Sequence, residues 1–288
     1  MIEILRRRKL GMSSCREAAK YARELFDTPI KVLRNDKGVA NEEVVVRWGC
    51  TSTLGGNVKA VINPTKHIHR VADKVGCRKL LQEAGVSVPK TIFRDNGVIP
   101  GDLFDDGKIL IGRRATHSQG RHMKVITTME ELFEDKTSAY WSEYIPKEKE
   151  YRVYCGFGRV LAVAEKIAED KTQIAWNHAQ GGSIFHNVKW KDWPREMCME
   201  ALRAQKACKI DFTGIDMMVL GDDYYVLELN SAPSLTSVYR QKIFAKFYTW
   251  IWNEYQTNET KPTHFDLPKK NNWGSLILPF IKENLETT

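Results

Sequence analysis

Residues 213–234 constrain the fold of this chain more than any other stretch, because they predict two strands joined by a tight turn. The turn formers Gly-Asp-Asp at 221–223 separate two apolar segments, a pattern typical of a β-hairpin. Side chains alternate along a strand, so Glu228 and Asn230 lie on one face, roughly 6.6 Å apart. A carboxylate and an amide are therefore expected side by side on the second strand.

The length of the loop decides whether a third polar side chain joins this pair. Asp216 lies on the first strand. A three-residue loop at 221–223 places Asp216 directly opposite Glu228, whereas a two-residue loop pairs it with Leu227 and sends the two carboxylates to opposite faces. We expect the three-residue loop, which brings two carboxylates and one amide oxygen together. Such hard oxygen ligands suit Mg²⁺.

The solvated face of an ordinary hairpin is the alternative interpretation of these acids. Three features favour a site instead. Both strands are otherwise strongly apolar, and isolated acids in them cost stability unless they are paired or bound to metal. The amide is in register with the acids, and the run ends in Ser-Ala-Pro-Ser at 231–234, a sharp exit from the sheet that a purely structural hairpin does not need.

Composition limits the classes of protein to which the chain can belong. Its 288 residues, 42% hydrophobic and 28% charged, suffice for two or three subdomains of an ordinary globular protein. No apolar run approaches the roughly 20 residues of a membrane-spanning helix, and the first apolar segment is too short for a signal peptide. The six cysteines form no C-x-x-C pair. We therefore expect reduced thiols, a cytoplasmic location and no membrane partner.

The net charge of +8 indicates an anionic partner or substrate. Nucleic acid is one interpretation. The other is that lysines and arginines collect around the phosphates of a nucleotide, and the remainder lie on the surface. The second is slightly favoured, because the basic residues are spread along the chain and only residues 6–9 form a dense block.

The first 65 residues predict the strand–helix–strand start of an α/β domain. The predicted elements are strands at 1–5, 30–33 and 44–48 and a helix to Phe26 that a Ser14-x-x-Glu17 capping box opens, with Ala18, Ala22 and Leu25 on one face. The turn-rich loop at 49–57 follows the carboxyl end of a strand, where α/β sheets place ligands. Arg47, Trp48 and Ser52 are candidates for substrate contacts there, and a structural role for them is at least equally open.

Three further helices are predicted beyond this domain. The first covers about 66–84 and ends in a left-handed Gly85; the second covers 196–209, with Met197, Ala201, Ala204 and Cys208 facing inward. The third, at 240–255, is too rich in Phe, Tyr and Trp to stand exposed. We expect it to pack on the core, with a subunit contact in a homo-oligomer as the alternative. A final apolar element is predicted at 273–286.

Residues 227–234, Leu-Glu-Leu-Asn-Ser-Ala-Pro-Ser, with Asp216 twelve residues before the Glu, resemble the metal-binding end of the ATP-grasp superfamily. The similarity is greatest to its RimK-like branch. The resemblance implies an α/β (α+β) fold in three lobes, with a nucleotide cleft between the central and C-terminal lobes. It also implies that Asp216, Glu228 and Asn230 hold one or two magnesium ions, with manganese as an alternative, against the phosphates of ATP.

The resemblance continues in the family's order over roughly residues 66–234 and implies a set of nucleotide-binding residues. These are Lys74, after an aspartate at the entry to the central lobe; Arg113, on a strand; Ser118, Gln119 and Gly120, in a flexible loop; Glu143, Tyr144 and Ile145, at the adenine; Glu150, at the ribose; and Asn177, in an Asn-x-x-x-Gly-Gly turn. The family has a lysine at the position of Arg113. Arginine keeps the charge but has a planar fork, so its phosphate geometry must differ.

Two catalytic residues are implied by the same resemblance. Arg152 belongs to a Glu-x-Arg strand and would sit near the reacting carboxylate, and Lys166 ends the next strand with its cation directed toward the site. A cross-strand charge pair on a hairpin is the alternative for the Glu150 and Arg152 strand. His178 and His186 are left out, because lone histidines are more often surface or packing residues.

The expected organisation has four parts. They are an N-terminal α/β domain at 1–65, a central ATP-grasp lobe at 66–140, a C-terminal lobe with the magnesium site at 141–239, and an aromatic-rich extension at 240–288. Substrate specificity is expected in the loop at 49–57 and in this extension.

The function that the resemblance implies is ATP-dependent ligation of a carboxylate to an amine. A carboxylate does not acylate an amine at neutral pH, because oxide is a poor leaving group; transfer of the γ-phosphoryl group of ATP gives an acyl-phosphate from which the amine displaces phosphate. The expected partners are a small carboxylate, such as an amino acid, and an amine on a small molecule, peptide, protein or modified nucleic acid. An ATP-grasp kinase and a catalytically inactive nucleotide- or nucleic-acid-binding protein remain as alternatives.

Overall fold

The computed structural model describes residues 1–6, 14–34, 40–94, 107–115, 122–176 and 183–264. Within these segments the chain forms thirteen strands in three sheets, together with six α-helices. Among the described helices, none combines the length and the apolar character that crossing a membrane requires.

The first sheet is parallel and contains the start of the chain. Its strands are β1 (Ile2–Arg6), β2 (Ile30–Arg34), β3 (Val44–Trp48) and β4 (Ala60–Ile62), in the order β2-β1-β3-β4. Helix α1 (Ser14–Phe26) connects β1 to β2, which confirms the predicted strand–helix–strand start. Leu25, expected on the buried face of α1, is 52% exposed. The Ser14 hydroxyl, expected to cap α1, instead accepts a hydrogen bond from the Leu235 backbone N–H at 2.9 Å.

The helix predicted over 66–84 is divided into two at Asp73. Helix α2 (Thr65–Ala72) ends there and helix α3 (Lys74–Glu83) begins there. Asp73 is extended (φ −71°, ψ 100°), and its carboxylate accepts the Gly76 N–H at 3.1 Å, which caps α3. Gly85 has a positive φ of 67°, as expected. The division places Lys74 in the first turn of α3.

The second sheet is small and antiparallel. Its strands are β5 (Thr91–Phe93), β6 (Leu110–Arg113), β7 (Lys124–Ile126) and β8 (Tyr140–Glu143), in the order β5-β8-β6-β7. Helix α4 (Met129–Glu134) packs on it through Leu132, and the buried residues of this core are Leu110, Ile126, Leu132 and Trp141. A capping box between Thr128 and Glu131 fixes the start of α4.

The third sheet is antiparallel and carries the hairpin that dominates the sequence. Its strands are β9 (Lys149–Gly156), β10 (Arg159–Ile167), β11 (Ile184–Val188), β12 (Phe212–Leu220) and β13 (Asp223–Asn230), in the order β11-β10-β9-β12-β13. Helix α5 (Arg195–Cys208) packs on the sheet with Met197, Ala201, Ala204 and Cys208 buried, as predicted.

Helix α6 (Val238–Asn258) joins the N-terminal and third sheets into one core. Phe244 is fully buried and makes edge contacts with Trp48, 5.6 Å between ring centroids, and with Phe212, at 6.2 Å. Trp48 and Phe212 also stack on each other at 5.3 Å. The expected packing of the aromatic helix on the core is confirmed. The apolar element expected at 273–286 lies outside the described residues.

Candidate ATP and metal site

The two carboxylates of the hairpin lie opposite each other, although the turn is not the expected one. Asp216 pairs directly with Glu228. Leu220 pairs with Asp223, so the connecting turn has two residues, 221–222, and the expected three-residue loop is wrong. With that turn alone, regular pairing would have put the two acids on opposite faces.

A β-bulge restores the pairing. Met217 pairs with Val226 while the preceding residue, Asp216, pairs with Glu228, which leaves Leu227 as the extra residue of β13. One extra residue in one strand shifts the register of the ladder by one. The expected convergence of Asp216 and Glu228 is therefore correct, and its physical cause is the bulge.

Arg78 on α3 holds the bulge in place. Its Nη1 donates to the Val226 carbonyl at 3.1 Å and its Nη2 donates to the Leu227 carbonyl at 2.9 Å. The side chain is buried, which lowers the pKa of its guanidinium. Sequence reasoning missed Arg78. Its position four residues after Lys74 places both on one face of the helix, which is the signal that would have indicated it.

Glu228 lies between two groups that favour its ionised form. The Lys74 Nζ is 3.1 Å from Glu228 Oε2, and Asn230 Nδ2 donates to Oε1 at 3.3 Å. Burial by itself would raise the pKa of Glu228, but Lys74, Arg152 and the Asn230 amide outweigh it and lower the pKa to about 2. Burial likewise opposes the charge on Lys74, yet Glu228 raises the pKa of that ammonium.

Asp216 is held by Arg152 through both carboxylate oxygens. The two residues pair across β12 and β9. Arg152 Nε donates to Oδ1 at 2.5 Å and Nη2 donates to Oδ2 at 2.8 Å, a bidentate arrangement. Burial alone would lower the pKa of Arg152, and the Asp216 charge reverses this and raises it.

Glu150 is buried between two lysines. Lys166 is its cross-strand partner on β10 and contacts Oε1, and Lys147 Nζ lies 3.1 Å from Oε2. Burial lowers the pKa of Lys147, whose ammonium also donates to the Ile174 carbonyl at 2.7 Å. The cation of Lys166 therefore faces Glu150, and Lys147 is a further basic residue that sequence reasoning missed.

The expected adenine segment follows β8. The Tyr144 N–H donates to the Ile109 carbonyl at 2.8 Å, Ile145 is buried, and Glu143 Oε1 accepts from the Lys90 N–H at 3.0 Å. These bonds tie Glu143 and Tyr144 to the segments that precede β5 and β6.

A cleft lies between α3, β8 and β13. The residues that line it are Lys74, Cys77, Arg78, Leu81, Tyr140, Leu227, Glu228 and Leu229. Arg113 pairs with Tyr140 across β6 and β8, and its charge acts on Arg78, Tyr140 and Lys147. The structure therefore brings Lys74, Arg113 and Glu228 to one region where the second and third sheets meet.

The loop at 49–57 touches the end of the hairpin. Gly49 has a φ of 63°, and a Cβ built on it would lie 2.8 Å from the Ala232 Cβ. Trp48 is fully buried in the aromatic core, which gives it a structural role, and Arg47 is buried and donates to the Cys50 carbonyl at 3.0 Å. The Ser52 hydroxyl contacts Cys50 Sγ at 3.3 Å.

Several expected residues cannot be placed in this geometry. Ser118, Gln119, Gly120, Asn177 and His178 lie outside the described residues.

The expected metal ligands fit magnesium in kind, though within the described part of the chain no group of three or more His, Cys, Asp or Glu side chains could hold a metal ion. Asp216, Glu228 and Asn230 supply two carboxylates and an amide, all hard oxygen donors. Glu228 Oε1 accepts from the Asn230 amide and Oε2 lies beside Lys74, and both oxygens of Asp216 accept from Arg152. Each carboxylate oxygen accepts more than one bond, so both Asp216 and Glu228 keep lone pairs for a metal beside these partners.

Comparison with known proteins finds similarity to ligases. No family model matches the chain. It is 24% identical over 179 residues to the coenzyme gamma-F420-2:alpha-L-glutamate ligase of Methanocaldococcus jannaschii, which covers 60% of this chain and 62% of that protein. It is 26% identical over 206 residues to a probable alpha-L-glutamate ligase of Shewanella halifaxensis, covering 66% of this chain and 43% of the relative. The chain thus spans less than two thirds of the length of these relatives.

Solved structures of ATP-grasp ligases resemble this chain in fold. The ATP-grasp ligase PsnB, complexed with a minimal precursor, superposes with a TM-score of 0.65 at 13% identity over 88% of this chain and 99% of that one. D-alanine–D-alanine ligase from Bacillus anthracis gives 0.59 at 17% identity, over 90% and 99%. A RimK domain ATP-grasp protein from Sphaerobacter thermophilus gives 0.58 at 12% identity, over 85% and 98%. The chain has the ATP-grasp fold, as expected, and the glutamate ligase relatives support the RimK-like branch.

Proposed function

We propose that this protein is an ATP-dependent ligase that joins a carboxylate to an amine through an acyl-phosphate and releases ADP and phosphate. The observation that carries the proposal is the pairing of Asp216 with Glu228 across the bulged hairpin, with Lys74 and Arg152 as their partners. Two acids and two cations at one point are what a metal–nucleotide complex and a carboxylate substrate need together.

In this proposal the three oxygen donors Asp216, Glu228 and Asn230 hold one or two magnesium ions, or manganese. The bound metal supplies neutralisation of the phosphate charge. Lys74, whose ammonium lies 3.1 Å from the Glu228 carboxylate, would exchange that carboxylate for a phosphate oxygen. Arg113 supplies a second cation on the side of the second sheet.

The remainder of the nucleotide site is proposed along the segment between the second and third sheets. Residues 143–145 meet the adenine, Glu150 accepts from the ribose hydroxyls, and 118–120 and Asn177 contact the phosphates. Glu150 is already held by Lys147 and Lys166, so its carboxylate is fixed in position before the ribose arrives. The domain boundaries at 65, 140 and 239 stay part of the proposal, although the second falls within β8 (Tyr140–Glu143) and the third within α6 (Val238–Asn258).

The chemistry requires two displacements. A carboxylate oxygen of the substrate attacks the γ-phosphorus, and the bond from that phosphorus to the β-phosphate oxygen breaks, which releases ADP. The amine nitrogen then attacks the acyl carbon, the carbon–oxygen bond to phosphate breaks, and the nitrogen loses a proton. Arg152 stabilises negative charge at the reacting carboxylate and Lys166 supports it from the neighbouring strand.

The substrate class is proposed from the relatives. Several of them are named alpha-L-glutamate ligases, which supports an amino acid as one substrate here. The amine acceptor is a small molecule, peptide, protein or modified nucleic acid, and the reaction takes place in the cytoplasm.

The test is product formation from ATP, magnesium and a panel of L-amino acids, alone and in pairs, followed by mass spectrometry. ADP together with a new amide supports the ligase. ADP with a phosphate ester would assign the protein as a kinase, and nucleotide binding without turnover would leave it as a binding protein.

A further inference from the structure

Arg240 is a buried cation whose charge is not matched by a carboxylate among the described residues. It lies in the first turn of α6 and is 0% exposed. Its Nη1 is hydrogen bonded to Asn187 Oδ1 and its Nη2 donates to Thr236 Oγ1 at 2.8 Å. Its Nε finds no hydrogen-bond partner among the residues that the structure describes. The acceptors found for this guanidinium are therefore neutral.

Such an arrangement costs free energy unless an anion completes it. Burial lowers the pKa of Arg240, and the nearby positive charge of Arg152 acts in the same direction. An arginine does not escape this cost by losing its proton, because guanidinium stays protonated in proteins. Uncompensated buried charges are rare and are kept where a partner supplies the opposite charge.

The position of Arg240 indicates that the missing anion would lie near Phe185 on β11. Three cations surround the ring of Phe185 on β11: Arg152 at 4.8 Å, Lys166 at 5.7 Å and Arg240 at 5.9 Å from the ring centroid. Arg152 is paired with Asp216, and Lys166 is paired with Glu150. Arg240 is the third cation at this ring, and its neutral partners, Asn187 and Thr236, distinguish it from the other two.

We propose that Arg240 binds a carboxylate of the substrate that does not react, a subsite that rests on the proposed ligase function. An α-amino acid that supplies the amine carries a carboxylate one carbon away from its nitrogen. A dicarboxylic acid that supplies the acyl group carries a second carboxylate a few bonds from the first. Either carboxylate would lie within a few bonds of the reacting group, and Arg240 and Arg152 share the Phe185 ring as a neighbour.

Asn187 shows how the carboxylate would be held. Its Oδ1 accepts both from Arg240 and from the Ser237 hydroxyl at 3.1 Å, as one oxygen of a carboxylate would. Asn187 is exposed on β11, which is an edge strand of the third sheet among the described residues. Its side chain can therefore turn toward water and leave Arg240, Ser237 and Thr236 to the substrate.

The test compares Arg240→Met with Lys242→Met, which removes an exposed cation two residues further along the same helix. Binding to the protein saturated with Mg·ADP is measured by calorimetry for four probes: glutarate and butyrate, and L-alanine and L-alaninamide. We expect the wild type to bind at least one carboxylate-bearing probe more tightly than its match. Arg240→Met should lose about 10- to 100-fold in that affinity, the value of a hydrogen-bonded charge, and Lys242→Met should lose none.

The pair that responds identifies the source of the carboxylate. A difference between glutarate and butyrate assigns the second carboxylate of the acyl substrate. A difference between L-alanine and L-alaninamide assigns the carboxylate of the amine substrate.

A purely structural role for Arg240 gives a different result. In that case Arg240→Met lowers the melting temperature and leaves probe binding unchanged, which overturns the subsite. The subsite is also overturned if the wild type binds the two probes of each pair with equal affinity. Arg240→Lys keeps the charge without the fork and should bind the responding probe with intermediate affinity, so it tests the proposal if the methionine variant does not fold. Arg240-dependent binding without amide formation would refute the ligase and keep the subsite. Amide formation with the same KM for the carboxylate-bearing substrate in wild type and Arg240→Met would support the ligase and refute the subsite.

Discussion

At the scale of single residues, the site is built from acids and bases that neutralise each other within the chain. Glu228 pairs with Lys74, and Asp216 pairs with Arg152. In the proposed reaction the acids turn to the metal while the cations turn to phosphate and carboxylate. Exchange of partners keeps each of these charges compensated throughout, which avoids the penalty of leaving one half unpaired.

Replacing Glu228 with Gln tests this exchange. The amide keeps the shape of the side chain but removes the charge that binds metal, so we expect a folded protein whose Mg-dependent ADP release falls by about 100-fold or more, since even outer-shell partners of metal ligands account for 10- to 100-fold. Glu196→Gln, on the exposed first turn of α5, is the matched control and should leave the rate unchanged. Unchanged turnover in Glu228→Gln would remove Glu228 from the ligands.

The pH dependence of stability follows from the same pair. The pKa of Glu228 is lowered from its ordinary 4.5 to about 2 in the folded chain, so the unfolded state takes up a proton first as pH falls. The stabilisation is therefore complete above about pH 4.5 and is lost as the pH approaches 2. Urea unfolding of wild type and Glu228→Gln between pH 7 and pH 3 should give free energies of unfolding that converge at the acid end. A constant difference over this range would contradict the assignment.

Arg113 departs from the lysine that the family resemblance implies, and Arg113→Lys tests whether the fork matters. The charge is retained on β6, so we expect the KM for ATP to change by less than about tenfold, equivalent to about 1.4 kcal/mol. Steady-state kinetics with varied ATP give this value. A much larger loss would mean that the planar guanidinium makes two bonds that an ammonium cannot replace.

At the scale of elements, the sequence patterns predicted the longer strands and helices, whereas β4, β7, β11 and α4 were not predicted. The alternation around Glu228 and the acids of 213–234 were sufficient to predict the hairpin. The bulge at Leu227 could not be predicted, because an extra residue does not change the alternating pattern of the strand in a recognisable way. Arg78, which donates to the Val226 and Leu227 carbonyls, lies far away in the chain. The break at Asp73 was missed because the apolar stripe continues across it, and only the cap on Gly76 shows it.

The contact between the loop at 49–57 and the hairpin tail can be tested with two glycines of the same loop. Gly49 has a φ of 63°, and an added Cβ would meet Ala232 at 2.8 Å. Gly49→Ala should therefore cost about 1–2 kcal/mol of stability for the left-handed backbone, with a further loss of turnover as 231–232 move. Gly56→Ala has nothing within 4 Å and should stay within about 0.5 kcal/mol of wild type. Equal denaturation midpoints for the two variants would show that the loop adjusts its backbone without displacing residues 231–232.

At the scale of the whole molecule, the three sheets do not share one core. The N-terminal and third sheets are joined through α6 into a single large cluster that includes Trp48, Phe212 and Phe244. The second sheet has a separate core of four buried residues, Leu110, Ile126, Leu132 and Trp141. A small core with few long-range contacts opens at a lower free energy than a large one. The second sheet is therefore the part of the cleft expected to move.

Hydrogen exchange of two core variants tests this division. Phe244→Ala removes a ring that joins the two large sheets and should cost about 3–5 kcal/mol, which accelerates exchange in β3, β9 and β12 but not in β6 and β8. Leu132→Ala is the reciprocal variant. It leaves a cavity in the small core and should accelerate exchange in β6 and β8 alone. Because Arg113 lies on β6 and Glu228 on the third sheet, Mg·ATP should slow exchange most in the second sheet by binding to both. If either substitution accelerates exchange equally in all three sheets, the molecule unfolds as one unit, and closure of the cleft cannot be a movement of the second sheet.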